Sequence, residues 1–254
     1  MAQGKLYEKR LAESETLFSF EQSLYKRAAK DAECARGAKH AGEKDAASPK
    51  VYLVAGIDEV GRGALAGPVT AAAVVLGADW LPEYAPGLRD SKKLSALRRE
   101  ELAAEIEETA YAFSVAHVEP RMIDEQGIMP ALYKAMQGAV SGLKLDCLGA
   151  DSELDSAAAL DKILIDGNPV NLFAQEEAIV KGDTKIACIA AASILAKHAR
   201  DMLMLSLSEK YPGYDFDSNK GYSSEAHQNA ISRQGLSPIH RKSFCQNFLQ
   251  GSLF

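Results

Sequence analysis

Two adjacent acids, Asp58 and Glu59, close the apolar run Tyr52-Leu53-Val54-Ala55-Gly56-Ile57, and the turn Val60-Gly61-Arg62-Gly63-Ala64-Leu65 follows at once. The run is short, partly β-branched and bounded by glycine, which is the pattern of a buried strand. Carboxylates at the end of such a strand are costly to desolvate without a partner. A divalent cation supplies one, because hard cations take carboxylate oxygens. The glycines let the backbone come close to a ligand. Two further acids sit in comparable places. Asp166 ends the run Ile163-Leu164-Ile165 and precedes Gly167, and Asp183 follows Ile179-Val180-Lys181-Gly182. Strand ends lie side by side in a mixed sheet, so the three aspartates can converge, and ligand sites favour such edges. On the residues alone, Asp166 reads equally as a turn residue and Asp183 as a helix N-cap. Glu59 carries a stereochemical condition. Neighbours along a strand face opposite ways, so it shares a site with Asp58 only if the strand has ended, or through its longer chain or its backbone carbonyl.

Positioning these acids requires alternating strands and helices. Strands are expected at 52–58, 69–76, 112–118, 162–166 and 177–181, the first three as an antiparallel meander and the later ones parallel. A helix is expected from Leu94 to Glu108, with Leu94, Leu97, Leu102 and Ile106 as its apolar face and Ser95 as its cap. Another is expected from Thr184 to about Lys210, where Ala190-Ala191-Ala192-Ser193 permits close packing on the sheet. Residues 146–161 read as an enlarged loop whose acids, Asp151, Glu153, Asp155 and Asp161, lack calcium-loop spacing and are expected to be solvated. Ahead of the core, Ser19-x-x-Gln22 offers a capping box for a short helix lined by Phe20, Leu24 and Ala28. The composition of 30–50 suits a flexible linker. The expected division is therefore 1–50, an N-terminal helical extension and linker; 51–248, the catalytic domain; and 249–254, a C-terminal tail.

At 254 residues the chain can hold one sizeable domain and an appendage. No apolar stretch reaches the length of a membrane span, and the N-terminus lacks a signal-peptide layout. Cysteines 34, 147, 188 and 245 are far apart in sequence, which disfavours a zinc site or disulfide framework and suits a reducing cytoplasm. The formal charge of −6 weighs mildly against nucleic-acid binding. Acids that hold cations inflate that count, and the distribution of charge matters more. Lys92, Lys93 and Lys181 flank the proposed site loops and are expected to contact phosphate. Arg98-Arg99 reads as a solvated face. His240-Arg241-Lys242 reads equally as a phosphate contact or a solvated turn.

The chain resembles the ribonuclease HII family, bacterial type, from about Tyr52 to Phe248. The landmarks are IDEVGRG at 57–63, DSKKLS at 90–95, LIDG at 164–167, VKGD at 180–183, AASILAKHARD at 191–201, NKGY at 219–222 and HRKSF at 240–244. Ala64 and Cys188 differ from the residues expected there, and neither touches the proposed chemistry. The resemblance implies an α/β ribonuclease H-like fold, a mixed central sheet flanked by helices with a helical C-terminal region. It implies an endoribonuclease acting on RNA–DNA hybrids and 5′ of single ribonucleotides embedded in duplex DNA, leaving a 3′-hydroxyl and a 5′-phosphate. Asp58, Glu59, Asp166 and Asp183 would hold two Mg²⁺ or Mn²⁺ ions, about 3.5–4 Å apart, across the scissile phosphate. Gly61, Arg62 and Gly63 would read the 2′-hydroxyl and nearby phosphates, which is how RNA is told from DNA. Tyr222 would contact the sugar on the 3′ side. Ser193, Lys197 and Asp201 are candidates to support the site, although Lys197 with Asp201 also reads as a helix-surface ion pair. A monomer is expected.

Three rivals fit less well. Ribonuclease HIII typically carries Lys where Arg62 stands and has a larger N-terminal domain. A non-catalytic relative would lack one of the acids. A small-molecule metal phosphatase would need neither the GRG turn nor Tyr222. The chain ends Gln250-Gly251-Ser252-Leu253-Phe254, similar to the peptide with which bacterial repair proteins bind the sliding clamp. Gln250, Leu253 and Phe254 would make the contacts, and Gly251 in place of the usual Leu would weaken them.

Overall fold

The computed structural model describes residues 2–38, 52–145 and 156–249. One sheet of five strands carries the molecule: β1 (Val54–Val60), β2 (Val69–Val75), β3 (Ala112–Val118), β4 (Lys162–Asp166) and β5 (Glu176–Ile179), in the spatial order β3-β2-β1-β4-β5. The first three form the antiparallel meander, and β4 pairs with both β1 and β5 in parallel. Its helices are α1 (Ala2–Ala38), α2 (Ala96–Thr109), α3 (Pro120–Gln126), α4 (Ile128–Ser141), α5 (Ser156–Ala159), α6 (Ala187–Lys210), α7 (Phe216–Asn219), α8 (Glu225–Gln234) and α9 (Gln246–Leu249). Among the described residues no helix is long and apolar enough to cross a membrane. A mixed sheet covered by helices on both faces is the ribonuclease H-like arrangement expected above.

The pleat sorts the sheet residues into two cores. Val54, Ala72, Val74 and Leu164 face α1, α2 and α6, while Ala55, Ile57, Ala71, Ala73, Ile163 and Ile165 face α4. Helix α6 lies closest to the sheet where Gly56 meets it. A Cβ built on Gly56 would stand 2.3 Å from the carbonyl carbon of Cys188. Ala190, Ala191 and Ala192 are fully buried, so the small residues on α6 do serve close packing.

Several expectations need correction. Helix α1 is one helix from Ala2 to Ala38, extending into the segment expected as linker, and Ser19 lies mid-helix with its hydroxyl on Thr16 O. Its buried face is Ser14, Leu17, Phe18, Glu21 and Tyr25, while Phe20 is 37% exposed. The two polar members of that stripe hid it from hydrophobic periodicity. Ser14 Oγ donates to Ala85 O at 2.8 Å and accepts from Gly87 N and Leu88 N, and Phe18 packs edge-on to Trp80. Helix α2 starts at Ala96 under the Ser95 cap, so Leu94 precedes it, and Leu97 points outward at 67% exposure. Arg99 occupies the inward side instead. Arg98 and Arg99 are not a solvated face: Arg98 bonds Glu101, Glu105 and Pro86 O, and Arg99 bonds Asp201 and Ser91 O. Asp161 is not a free loop acid, since its Oδ2 accepts from Leu53 N at 3.0 Å. Asp151, Glu153 and Asp155 lie outside the described residues.

Glu21 is the polar residue that ties α1 to the core. Its carboxylate is fully buried and accepts from Cys188 N at 2.8 Å, in the first turn of α6. The exposed N–H groups of a helix start favour negative charge there. Burial outweighs that help and raises the Glu21 pKa to about 7. A raised carboxylate pKa means that the folded chain binds the proton more tightly, so stability falls as pH rises from about 4.5 to about 7. At 1.36 kcal/mol per unit the loss is about 3 kcal/mol. Glu21→Gln keeps an acceptor for Cys188 N and removes the charge. The variant is expected to match the parent near pH 5 and to exceed it by about 1–3 kcal/mol at pH 8 in urea unfolding. Equal pH slopes for the two proteins would disprove this role.

Candidate active site

Sheet register brings the acids together. Ile57 pairs with Ile165, so Asp58 and Asp166 are the next residues on two parallel neighbours. By the period of two they share the α6 face with Val54 and Leu164. Asp166 Oδ1 accepts from Gly182 N at 2.6 Å, which fastens the short helical turn Gly182–Thr184 and with it Asp183. Asp183 is not the N-cap of α6, whose cap position is Ile186. Strand β1 runs on to Val60, so Glu59 still alternates away from Asp58. It nevertheless lines the same cleft as Asp58, Lys92, Ser193 and Tyr222. The strand has not ended at Glu59, and the carboxyl of that residue is still close enough for the charge of Asp166 to act on it.

The electrostatics are those of crowded acids. Burial pushes Asp58 up to about 8, and the charges of Glu59 and then Asp166 add to it, against a hydrogen bond from Ser193. Ser193 Oγ is in turn 2.9 Å from Ser91 Oγ, and Asp58 Oδ1 accepts from Glu59 N at 2.7 Å. Glu59 is raised by burial and by Asp166. Asp183 is raised by burial, Asp166 and Asp90, with Lys92 and Lys93 opposing. The nearest cation to Asp183 is Lys92 Nζ at 3.9 Å, and that lysine is largely exposed. Among the described residues no three acid, His or Cys side chains are gathered tightly enough to cage an ion. The fit to divalent cations therefore rests on charge and donor chemistry: hard oxygen donors at one edge, with Asp166 opposing ionisation of the other three and the positive charges of Lys92, Lys93 and Arg62 falling short of offsetting burial.

Beside the acids, two turns are locked together. Gly61 N donates to Tyr222 Oη at 3.1 Å, and Leu65 N and Ala66 N donate to Gly221 O. Gly221 has φ +81°, and a Cβ there would stand 2.3 Å from Ala66 O, so the turn Asn219–Tyr222 requires glycine. Residues 55–247 match the model of the ribonuclease HII family.

The chain belongs to the ribonuclease HII family. It is 46% identical over 204 residues to ribonuclease HII of Ruegeria sp. (strain TM1040), covering 79% of this chain and 82% of that protein. The fold matches ribonuclease H2 of Pyrococcus horikoshii OT3 with TM-score 0.63 and 25% identity over 79% of this chain and 98% of that one. It also matches ribonuclease HII of Archaeoglobus fulgidus, solved in complex with PCNA, with TM-score 0.62 and 27% identity over the same shares. Family membership makes the protein a ribonuclease, a hydrolase.

Within this ribonuclease fold the remaining sequence candidates separate. Lys92 borders the acids. Lys93 Nζ lies 3.9 Å from Asp90 Oδ2, beside α1, and Lys181 is exposed in left-handed conformation at φ 57°, so these two flank the cleft without lining it. Gly63 is open to solvent, and the exposed Arg62 reaches Met129 Sδ at 3.4 Å. Lys197 bonds Asp201 at 2.6 Å and stands 5.9 Å from the Tyr222 ring centroid, so it is both an ion-pair member and a site neighbour.

The largest omission of sequence reasoning is a pair of buried arginines. Arg200 donates to Pro68 O, Lys220 O and Ala66 O, and its guanidinium lies 5.3 Å from the Tyr222 centroid. Arg241 donates to Gly67 O and Arg62 O. Both are fully buried, and both have pKa values lowered by burial. Gly61 at φ +84° leaves room for Arg200, whose Nε would lie 2.2 Å from any Cβ there. These guanidiniums organise the loops from beneath by satisfying carbonyls that would otherwise be buried unpaired. A signal existed for Arg200, which falls on the buried stripe Ile189, Ser193, Ala196, Arg200, Met204 of α6. A lone charge on an apolar stripe marks a polar partner elsewhere. For Arg241 local sequence held no such sign, and the expectation of a phosphate contact or solvated turn at 240–242 is corrected for His240 and Arg241, both buried.

Proposed function

We propose that this ribonuclease hydrolyses the RNA strand of RNA–DNA hybrids and cuts 5′ of single ribonucleotides in duplex DNA, leaving 3′-hydroxyl and 5′-phosphate ends and acting as a monomer. The observation that carries the proposal is the adjacency of the acid edge, Asp58, Glu59, Asp166 and Asp183, to the coupled turns of Gly61 and Tyr222. Those four carboxylates would hold Mg²⁺ or Mn²⁺, and two such ions activate water and stabilise the departing 3′-oxygen in phosphodiester hydrolysis. Ser193 keeps Asp58 oriented, and Asp166 holds the turn of Asp183 through Gly182 N. Lys92 and Arg62 supply positive charge to backbone phosphates, with Lys93 and Lys181 further out on the substrate path. Gly61 and Gly63 present backbone without side chains to the 2′-hydroxyl. The Tyr222 ring, partly exposed and backed by Lys197 and Arg200, offers a flat face to the adjoining deoxyribose.

A duplex with one embedded ribonucleotide tests this. Cleavage 5′ of the ribonucleotide is expected with Mg²⁺ or Mn²⁺ and none with a chelator. Tyr222→Ala should lower that cleavage about tenfold, about 1.4 kcal/mol of transition-state stabilisation, while uniform hybrid is cut far less impaired. No cleavage with either ion would overturn the proposal, and an unchanged Tyr222→Ala rate would remove the sensor role.

The tail, Gln250, Leu253 and Phe254, lies outside the described residues. We propose that it binds a bacterial sliding clamp, Leu253 and Phe254 entering an apolar pocket and Gln250 a polar subsite. The Archaeoglobus fulgidus relative was solved with PCNA, which supports a clamp partner in the family. Full-length protein should bind the clamp, and protein truncated after Phe248 should not. Equal binding by both would refute it, and cleavage of short duplexes should be unaffected.

A further inference from the structure

His227 and His240 are both buried, the first fully, and their Nε2 atoms are 3.0 Å apart. Two backbone groups fix which nitrogen of each ring carries the proton. Ser237 N can only donate, and it meets His240 Nδ1 at 2.9 Å. His240 is therefore protonated at Nε2, and its Nδ1 also accepts from Ser237 Oγ at 2.7 Å. Tyr222 O can only accept, and it meets His227 Nδ1 at 2.8 Å. His227 is therefore protonated at Nδ1, which leaves its Nε2 to accept from His240 Nε2–H. The assignments from the two ends agree, so every hydrogen bond runs in one sense from Ser237 N–H to Tyr222 O.

Both rings stay neutral. Burial lowers the pKa of each, His240 to about 4. Tyr214 and Phe216 pack on them, with Tyr214 4.8 Å from the His240 centroid and Phe216 edge-on to His227 at 5.3 Å. Among the described residues Asp215 is the acid whose charge reaches His227, and burial outweighs it. A pair used only as filler could be apolar. Here four ring nitrogens are buried and all four are satisfied, an arrangement that fixes one geometry.

Both ends of the chain meet the substrate-facing turns. His240 forms a backbone bridge with Ala66, and its neighbours reinforce it through Gly67 N to Ile239 O and Arg241 N to Leu65 O. At the other end Tyr222 accepts from Gly61 N through its hydroxyl. We propose that His240 and His227 form a one-directional hydrogen-bond relay that sets the position of Tyr222 against the Gly61 turn, and so tunes cutting at single ribonucleotides. They are positioning residues, since neither touches the acids. The proposal rests on Tyr222 contacting the sugar, as put forward above.

Nitrogen-15 histidine spectra of the wild type at neutral pH test the relay without reference to activity. One buried ring should show the Nδ1–H tautomer and the other Nε2–H, assigned with His227 and His240 variants. The opposite tautomer at either ring overturns the relay. Two substitutions of similar polarity then test its purpose. In His227→Asn the amide NH₂ can replace Nδ1–H on Tyr222 O, whereas in His227→Gln the amide reaches towards His240 instead. His227→Asn should cut a single-ribonucleotide duplex within about threefold of wild type, and His227→Gln about tenfold slower, with uniform hybrid cut nearly normally by both. Equal rates for the two variants, at equal melting temperature, would overturn the positioning role. Tyr222→Phe is the arm for the underlying reading. If it and Tyr222→Ala leave single-ribonucleotide cleavage unchanged, the sugar contact has failed, and the tautomers still decide the relay.

Discussion

Asp58→Asn is expected to lower cleavage about 10³-fold or more, roughly 4 kcal/mol of transition-state stabilisation, while folding and duplex binding persist. Asn preserves shape and the hydrogen bonds to Glu59 N and Ser193, but it cannot supply the charge that draws cations to a buried edge. The same substitution should raise the melting temperature of the metal-free protein. Burial and the charge of Glu59 oppose ionisation of Asp58, and Asn removes a group whose charged form the folded chain disfavours. Loss of activity with gain of stability separates a functional acid from a structural one. Single-turnover cleavage with Mg²⁺ or Mn²⁺ measures the first, and thermal melts at pH 8 with chelator measure the second. Near-normal cleavage by the variant would remove Asp58 from the chemistry. Asp166→Asn and Asp183→Asn should lose activity similarly, and Glu59→Gln should retain more.

Gly56→Ala should destabilise the protein by about 4 kcal/mol or more, beyond the ordinary cost of overpacking. The added carbon would lie 2.3 Å from Cys188 C, 2.4 Å from Ile189 N and 2.6 Å from Cys188 O. All three are backbone atoms, so no rotamer change relieves the clash. Strand β1 is central and hydrogen-bonded on both sides, leaving α6 to move away. That shift would withdraw Ser193 from Asp58 and break the Glu21 contact to Cys188. A domain of this kind holds only about 5–15 kcal/mol in total, so poor soluble yield is expected. Gly63→Ala is the control, since its Cβ would meet nothing within 4 Å. Comparable urea midpoints for Gly56→Ala and wild type would show that strand and helix are not in backbone contact at this point.

Much of the architecture was legible because it is written locally. The strands expected at 69–76 and 162–166 lie at Val69–Val75 and Lys162–Asp166, while the one expected at 52–58 runs over Val54–Val60, because pairing with β2 carries it past the two acids. Ser95 caps α2 because a hydroxyl one residue before a helix bonds a nearby backbone N–H without help from elsewhere. Asp58, Glu59 and Asp166 were visible as acids on strands, whereas Asp183, expected at a third strand end, stands beyond β5 in the helical turn Gly182–Thr184. Their gathering was decided by the register of Ile57 on Ile165, a property of two segments about a hundred residues apart, and by the bond from Gly182 N to Asp166, which fixes the turn that carries Asp183.

What stayed hidden is consistently polar and buried. Glu21 looks like any helix-surface acid until the start of α6 is placed against it. Phe20, its apolar neighbour, looked like the core residue and faces solvent instead. His227, His240 and Arg241 carry no local pattern, because what makes them suited to burial is a carbonyl or N–H from another part of the chain. By itself the amino-acid sequence determined the family, the order of the five strands and the helices α2 and α6, and it singled out four acids as candidates, since hydrophobic runs and nearby carboxylates express their preferences within a few residues; it did not place α3 or α4. Only the tertiary structure decided which polar groups go inside, because a buried charge or ring nitrogen is tolerated only where a partner of the right donor or acceptor character arrives from a distant segment.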